Sequence, residues 1–150
     1  MVLIMKFFPM PISCGIGGFE SAAKEYAQIE LSLDEFLVIH PSTTFLTLID
    51  GNDMVNIGIH NHDIAIVDRD ITARHRDVVI INLNGDISCK ILDAERRLLL
   101  SGSNDNKPIP INESDEFVII GVVTSSIRCF KPLTLPSKVD IGPVDTSNHA

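Results

Sequence analysis

Apolar residues in the middle of the chain fall in short runs separated by turn formers. Phe45–Asp50, Ile64–Asp68, Asp77–Leu83, Ile87–Leu92, Arg97–Leu100 and Phe117–Thr124 have the length and composition of strands. Val78, Val79, Ile80 and Ile81 are all apolar, which predicts a central strand covered on both faces rather than half exposed. Asn84-Gly85 separates two runs, and both residue types tolerate the positive φ of a two-residue hairpin turn. Upstream, Ser32-Leu33-Asp34-Glu35 has capping-box spacing, so a helix carrying Leu33, Phe36 and Leu37 on one face is expected, packed as a lid on a sheet. Pro41 ends it by His40, because the residue before a proline is pushed away from helical geometry.

The ends read differently. Met1 to Ile12 is apolar but broken by Pro9 and Pro11, which predicts an extended segment rather than a helix. Glu20 to Tyr26 contains Ala22, Ala23 and Lys24, good helix formers. Pro136 and Pro143, among Ser, Thr, Asp and Asn, leave Leu133 to Ala150 without a pattern for packing. The expected organisation is an arm over 1–30, a mainly β domain over 31–131 built on a partly closed sheet with one short helix, and a flexible tail over 132–150.

Composition fits a single folded unit. The chain has 150 residues, 45% of them hydrophobic, with a mean hydropathy of +0.23, enough for one core. A net charge of −8 and a pI near 4.9 disfavour direct DNA binding, which rests on Lys and Arg density. Cys14, Cys89 and Cys129 form no CxxC pair and read as free thiols of a reducing cytoplasm. No unbroken apolar stretch is long enough to span a membrane as a helix.

Candidate chemistry is sparse. His60-Asn61-His62 is the one local histidine cluster, but no third ligand follows at a suitable spacing, so neither a metal nor another cofactor is expected. His40 and His75 read as surface or edge residues. Gly15, Gly17 and Gly18 make the arm after Cys14 free of side-chain bulk; it reads either as a linker or as a backbone able to enter a narrow groove.

Taken in order, these features resemble a known family. An arm with Cys14-Gly15, a helix ending in His40-Pro41-Ser42, the turn Gly51-x-x-Met54, Gly58-Ile59, Asp63-x-x-Ile66-Val67-Asp68 and a strand carrying Lys90 together look like the UmuD-type SOS mutagenesis proteins. These are relatives of the self-cleaving domain of the LexA repressor. The resemblance covers roughly residues 7 to 131. It implies a LexA/UmuD-like β fold, a dimer with itself or with another UmuD-like chain, and a serine-lysine dyad that cuts the protein's own arm when RecA filaments form on damaged DNA. It further implies assembly with a UmuC-type Y-family polymerase into the translesion polymerase V. Carried over position by position, the scissile bond falls on Cys14-Gly15, the nucleophile on Asp53, the general base on Lys90, and the oxyanion donors around Asn52 and Asp53. Asp53 and Lys90 stand 37 positions apart, the family's spacing, so the missing serine is a substitution and not a gap.

A carboxylate at that position changes the chemistry. A Ser-Lys dyad needs a neutral lysine, and an aspartate close by stabilises the ammonium instead. Carboxylate attack on an amide leads to a high-energy anhydride, and loss of a serine nucleophile removes on the order of 10⁶ in kcat in a serine-protease model system. Defective self-cleavage is therefore expected. Two alternatives stay open: an active peptidase using Ser42, Thr43 or Ser88, or a substrate cut in trans by a serine-bearing partner. Cys89, next to Lys90 but on the other strand face, reads as core.

Overall fold

The computed structural model describes residues 3–9, 11–15 and 29–132. The described residues form two sheets. A small one pairs β1 (Ile4–Phe7) with β2 (Ile29–Ser32), antiparallel. The large one contains β3 (Thr44–Leu48), β4 (Ile64–Asp68), β5 (Val78–Leu83), β6 (Asp86–Asp93), β7 (Leu98–Leu100), β8 (Ile109–Pro110) and β9 (Phe117–Ile127). Its order is β3-β4-β9-β5-β6-β7-β8, every neighbouring pair antiparallel, and it runs open between β3 and β8. All six predicted strands are present.

The apolar run at Val78–Ile81 becomes β5, the middle strand of seven. Alternation then divides its side chains between two cores. Ile80 joins Ile49, Met54, Ile59, Ala65 and Val67 on one face. Val79 and Ile81 join Leu92, Leu99 and Val122 on the other. Asn84 and Gly85 turn β5 into β6 with φ of 53° and 92°, and Leu83 pairs with Asp86 across the turn, the hairpin expected from the pair.

The helix is shorter than its sequence suggested. α1 covers Leu33–Leu37, with Ser32 as N-cap but no side-chain capping bond. It lies beside β2, where Phe36 meets Phe7 with ring centroids 6.3 Å apart. Leu33 and Phe36 remain 52% and 60% exposed, so it buries too little apolar surface to serve as the expected lid. The extended arm is met at Ile4–Phe7; the Glu20–Tyr26 helix and nearly all of the tail lie outside the described residues. Among the described residues no helix is long and apolar enough to cross a membrane.

Polar networks hold the loops. Asp63, Asp68 and Asp93 are almost fully buried, and each is hydrogen-bonded. Asp63 receives Arg128 Nε and Nη2 at 2.9 and 2.8 Å. Asp93 receives Arg96 Nε at 2.7 Å, and Asp68 meets His40 Nδ1 at 2.6 Å. Without such partners each carboxylate would lose its hydration uncompensated.

Candidate functional site

The turn after β3 displays Asp53 between anchored neighbours. Ile49 N–H donates to Asp63 O and its own carbonyl accepts from His62 N–H, both at 2.8 Å. Gly51 adopts φ +100°, a conformation that only glycine takes without strain, and its N–H donates to Asn61 Oδ1 at 2.7 Å. Asn52 Oδ1 accepts from Asn61 N–H at 3.2 Å. Met54, 2% exposed, drops into the core. Asp53, held on either side, stays exposed.

Lys90 comes from β6, paired with Val79 of the central strand. It faces a cavity of about 260 Å³ whose lining includes Asp53, Asp50, Ser88, Cys89 and Lys90, with Leu48, Ile80 and Ile87 as its apolar wall. The cavity thus brings together the two positions, far apart in sequence, to which the family resemblance assigns nucleophile and base. Cys14 and Gly15 are exposed and do not line it.

Asp53 and Lys90 form no ion pair; each has another partner. Asp53 Oδ1 accepts from Asn106 Nδ2 at 2.9 Å. Lys90 Nζ donates to Ser101 Oγ at 3.0 Å. Both partners come from the loop after β7, which also grips the Asp53 turn: Asn56 N–H donates to Gly102 O at 2.7 Å, and Asn56 Nδ2 reaches Asn104 Oδ1 at 3.2 Å. Gly102 packs closely there: a Cβ would stand 3.0 Å from Met54 Cα, a tight contact with backbone. Ser101 and Asn106 escaped the sequence reading; the one signal for them was the polar Ser101-Gly102-Ser103-Asn104-Asp105-Asn106 stretch between apolar runs.

The other hydroxyls weighed in the sequence do not meet Lys90. Thr43 Oγ1 is engaged with Asp68 Oδ1 and His40 O. Ser88 lines the cavity but makes no bond to Lys90. Cys89 packs against the Ile49–Met54–Ile80 core, and burial pushes its thiol up to about 11, so it is no nucleophile at neutral pH. His40 is more than an edge residue. Its hydrogen bond with buried Asp68 raises its pKa above the ordinary 6.5. His60 contacts Arg128, and among the described residues no group of three His, Cys, Asp or Glu could hold a metal.

Residues 11–124 match the Peptidase S24-like family. Protein MucA of Salmonella typhimurium is 38% identical over 114 residues, covering 73% of this chain and 77% of that protein. Protein ImpA of Shigella flexneri is 33% identical over 111 residues, covering 74% and 77%. The LexA repressor of Clostridioides difficile is 32% identical over 111 residues, which span 72% of this chain but 50% of the repressor. With the family match spanning most of the chain and relatives of this identity aligned over nearly three quarters of it, the chain is a UmuD-type member of the Peptidase S24-like family.

Proposed function

We propose that the chain is a UmuD-like accessory subunit of an error-prone translesion polymerase in the SOS response, and that it does not cut its own arm efficiently. The observation that carries the second part is the shared cavity: Asp53 and Lys90 line it together, and Asp53 brings a carboxylate where the family reaction needs a hydroxyl. A carboxylate cannot give a stable acyl-enzyme from an amide, so the position lacks the hydroxyl that a lysine base would activate. Family membership supports the role. It includes a dimer with itself or with another UmuD-like chain, contact with RecA filaments, and docking of a UmuC-type polymerase. An acidic chain of pI near 4.9 reaches DNA through such partners.

Asp53→Ser tests the catalytic part. Incubated with RecA filaments or at alkaline pH, this variant gains a fragment that begins at Gly15, whereas the parent chain stays whole. Continued absence of the cut in a folded variant would falsify the assignment of position 53. Exposure of Cys14 and Gly15 favours a second reading, in which a serine-bearing relative cuts this arm in trans. Mixed dimers decide it: an arm left intact beside an active partner removes that reading.

A further inference from the structure

Among the described residues, Lys90 keeps one hydroxyl within reach, 3.0 Å away on Ser101. The pair is built by the sheet. Ile91 of β6 is in register with Leu100 of β7, so Lys90 and Ser101 are the next cross-strand neighbours. On its other side Ser101 is fixed by Gly102, which is buried against the Met54 backbone and tied through its carbonyl to Asn56 N–H. Both side chains are half-buried, shielded enough to hold a geometry and open enough to be reached. A nucleophilic hydroxyl and its base need separations of about 2.6–3.2 Å and a support that fixes their orientation.

We propose that Ser101 and Lys90 form a second hydroxyl-amine dyad that takes acyl or phosphonyl groups from activated electrophiles such as aryl esters and fluorophosphonates. The proposal rests on the reading of Lys90 as a surviving general base. With Lys90 as the free amine, Ser101 Oγ attacks the electrophilic carbon or phosphorus while its proton passes to Nζ. The new bond is Oγ–C or Oγ–P. The bond that breaks is the one to the aryloxide or fluoride, which leaves as an anion without needing a proton. Water later hydrolyses the acyl ester, with Lys90 as base, and the phosphonyl adduct persists. Cys14 and Gly15 do not line the cavity that Lys90 faces, so this reactivity coexists with an uncut arm.

The experiment treats the full chain with a fluorophosphonate at neutral and alkaline pH and locates the adduct by tandem mass spectrometry. The expected result is one adduct on Ser101, formed faster at alkaline pH, absent from Ser101→Ala and partly regained in Ser101→Thr. Lys90→Met slows labelling by about 10²-fold, the lower range for a positioned base. The Ser101→Thr variant keeps the hydroxyl, so the outcome does not depend on how well Ser101→Ala folds. No adduct on the folded parent chain, an adduct on Ser103 or another residue, or a rate indifferent to Lys90→Met would each overturn the dyad. Co-purification with a Y-family polymerase reads the accessory role separately, and Ser101→Ala leaves it unchanged if only the dyad is at fault.

Discussion

Gly121→Ala strains the seam that aligns the two sides of the cavity. β9 pairs with β4 on one flank and β5 on the other, joining the half that carries the Asp53 turn to the half that carries Lys90. Gly121 lies opposite Ile80 beside a register shift. A Cβ there would stand 2.6 Å from Val67 Cγ1 and 3.0 Å from Asp68 O. Carbon atoms rest at about 3.5–4.0 Å, so the overlap with Val67 is on the order of 1 Å. Val67 is fully buried and β-branched, with few rotamers to retreat into, and Asp68 O is backbone.

Overpacking of this kind costs about 1–3 kcal/mol, while replacing glycine returns about 0.4–1 kcal/mol through the unfolded chain. The net expectation is a loss of about 1–2 kcal/mol. In urea, with a slope of about 2 kcal/mol/M, the midpoint falls by roughly 0.5–1 M at unchanged slope. Val67→Ala removes the closest atom, so in that background Gly121→Ala costs less by about 1 kcal/mol, a coupling that a double-mutant cycle resolves. An Ala variant as stable as the parent, or strict additivity with Val67→Ala, would refute the steric reasoning.

Two further outcomes concern titration and thiol reactivity. His40 has its pKa raised, chiefly by its hydrogen bond with Asp68, so its stabilising contribution is complete below the ordinary 6.5 and lost as pH rises through the higher folded value. Asp68 is pushed up by burial, but hydrogen bonds from His40 and Asp70 N–H pull it below its ordinary value. An NMR titration of the His40 ring should give a midpoint above 6.5, and the stability gap to His40→Gln should narrow at alkaline pH; a midpoint at or below 6.5 sinks the assignment. Cys89, pushed by burial to about 11, resists iodoacetamide at mildly alkaline pH in the native chain, while exposed Cys14 and Cys129 react; peptide mapping that finds Cys89 modified as fast as those two counts against it.

Periodicity made the sheet legible because burial on two faces leaves a mark in sequence. Val78–Ile81 showed a strand with no polar face, and Asn84-Gly85 showed how it returns. β8 had no such mark: two exposed residues, Ile109 and Pro110, are held by pairing to β7 alone. The lid helix failed for a related reason. Capping spacing specifies where a helix starts, but packing of its apolar face decides what it covers, and Leu33 and Phe36 stay exposed. At the site, position 53 and Lys90 could be singled out by family resemblance, and both line one cavity. Ser101 and Asn106 could not, because a polar loop carries no period and their roles depend on which turn the loop folds against.

That loop also bears on how Lys90 behaves once a serine is placed at position 53. A charge pair across a solvent-open cavity is worth about 0–1 kcal/mol, whereas a half-buried hydrogen bond to a charged group is worth about 1.5–3 kcal/mol. Lys90 accordingly bonds to Ser101 rather than reaching for Asp53. In Asp53→Ser the new hydroxyl is neutral too, and it competes with Ser101 for the same nitrogen. Releasing Lys90 by adding Ser101→Ala removes a competing bond whose net strength, for neutral partners, is about 0.5–1.5 kcal/mol. With 1.36 kcal/mol per factor of ten in rate, Asp53→Ser/Ser101→Ala should cut at Cys14-Gly15 about two- to tenfold faster than Asp53→Ser alone. The assay is the first-order appearance of the Gly15 fragment at alkaline pH. A double variant that cuts more slowly, while folded, would mean that Ser101 holds Lys90 in its working position instead of drawing it away.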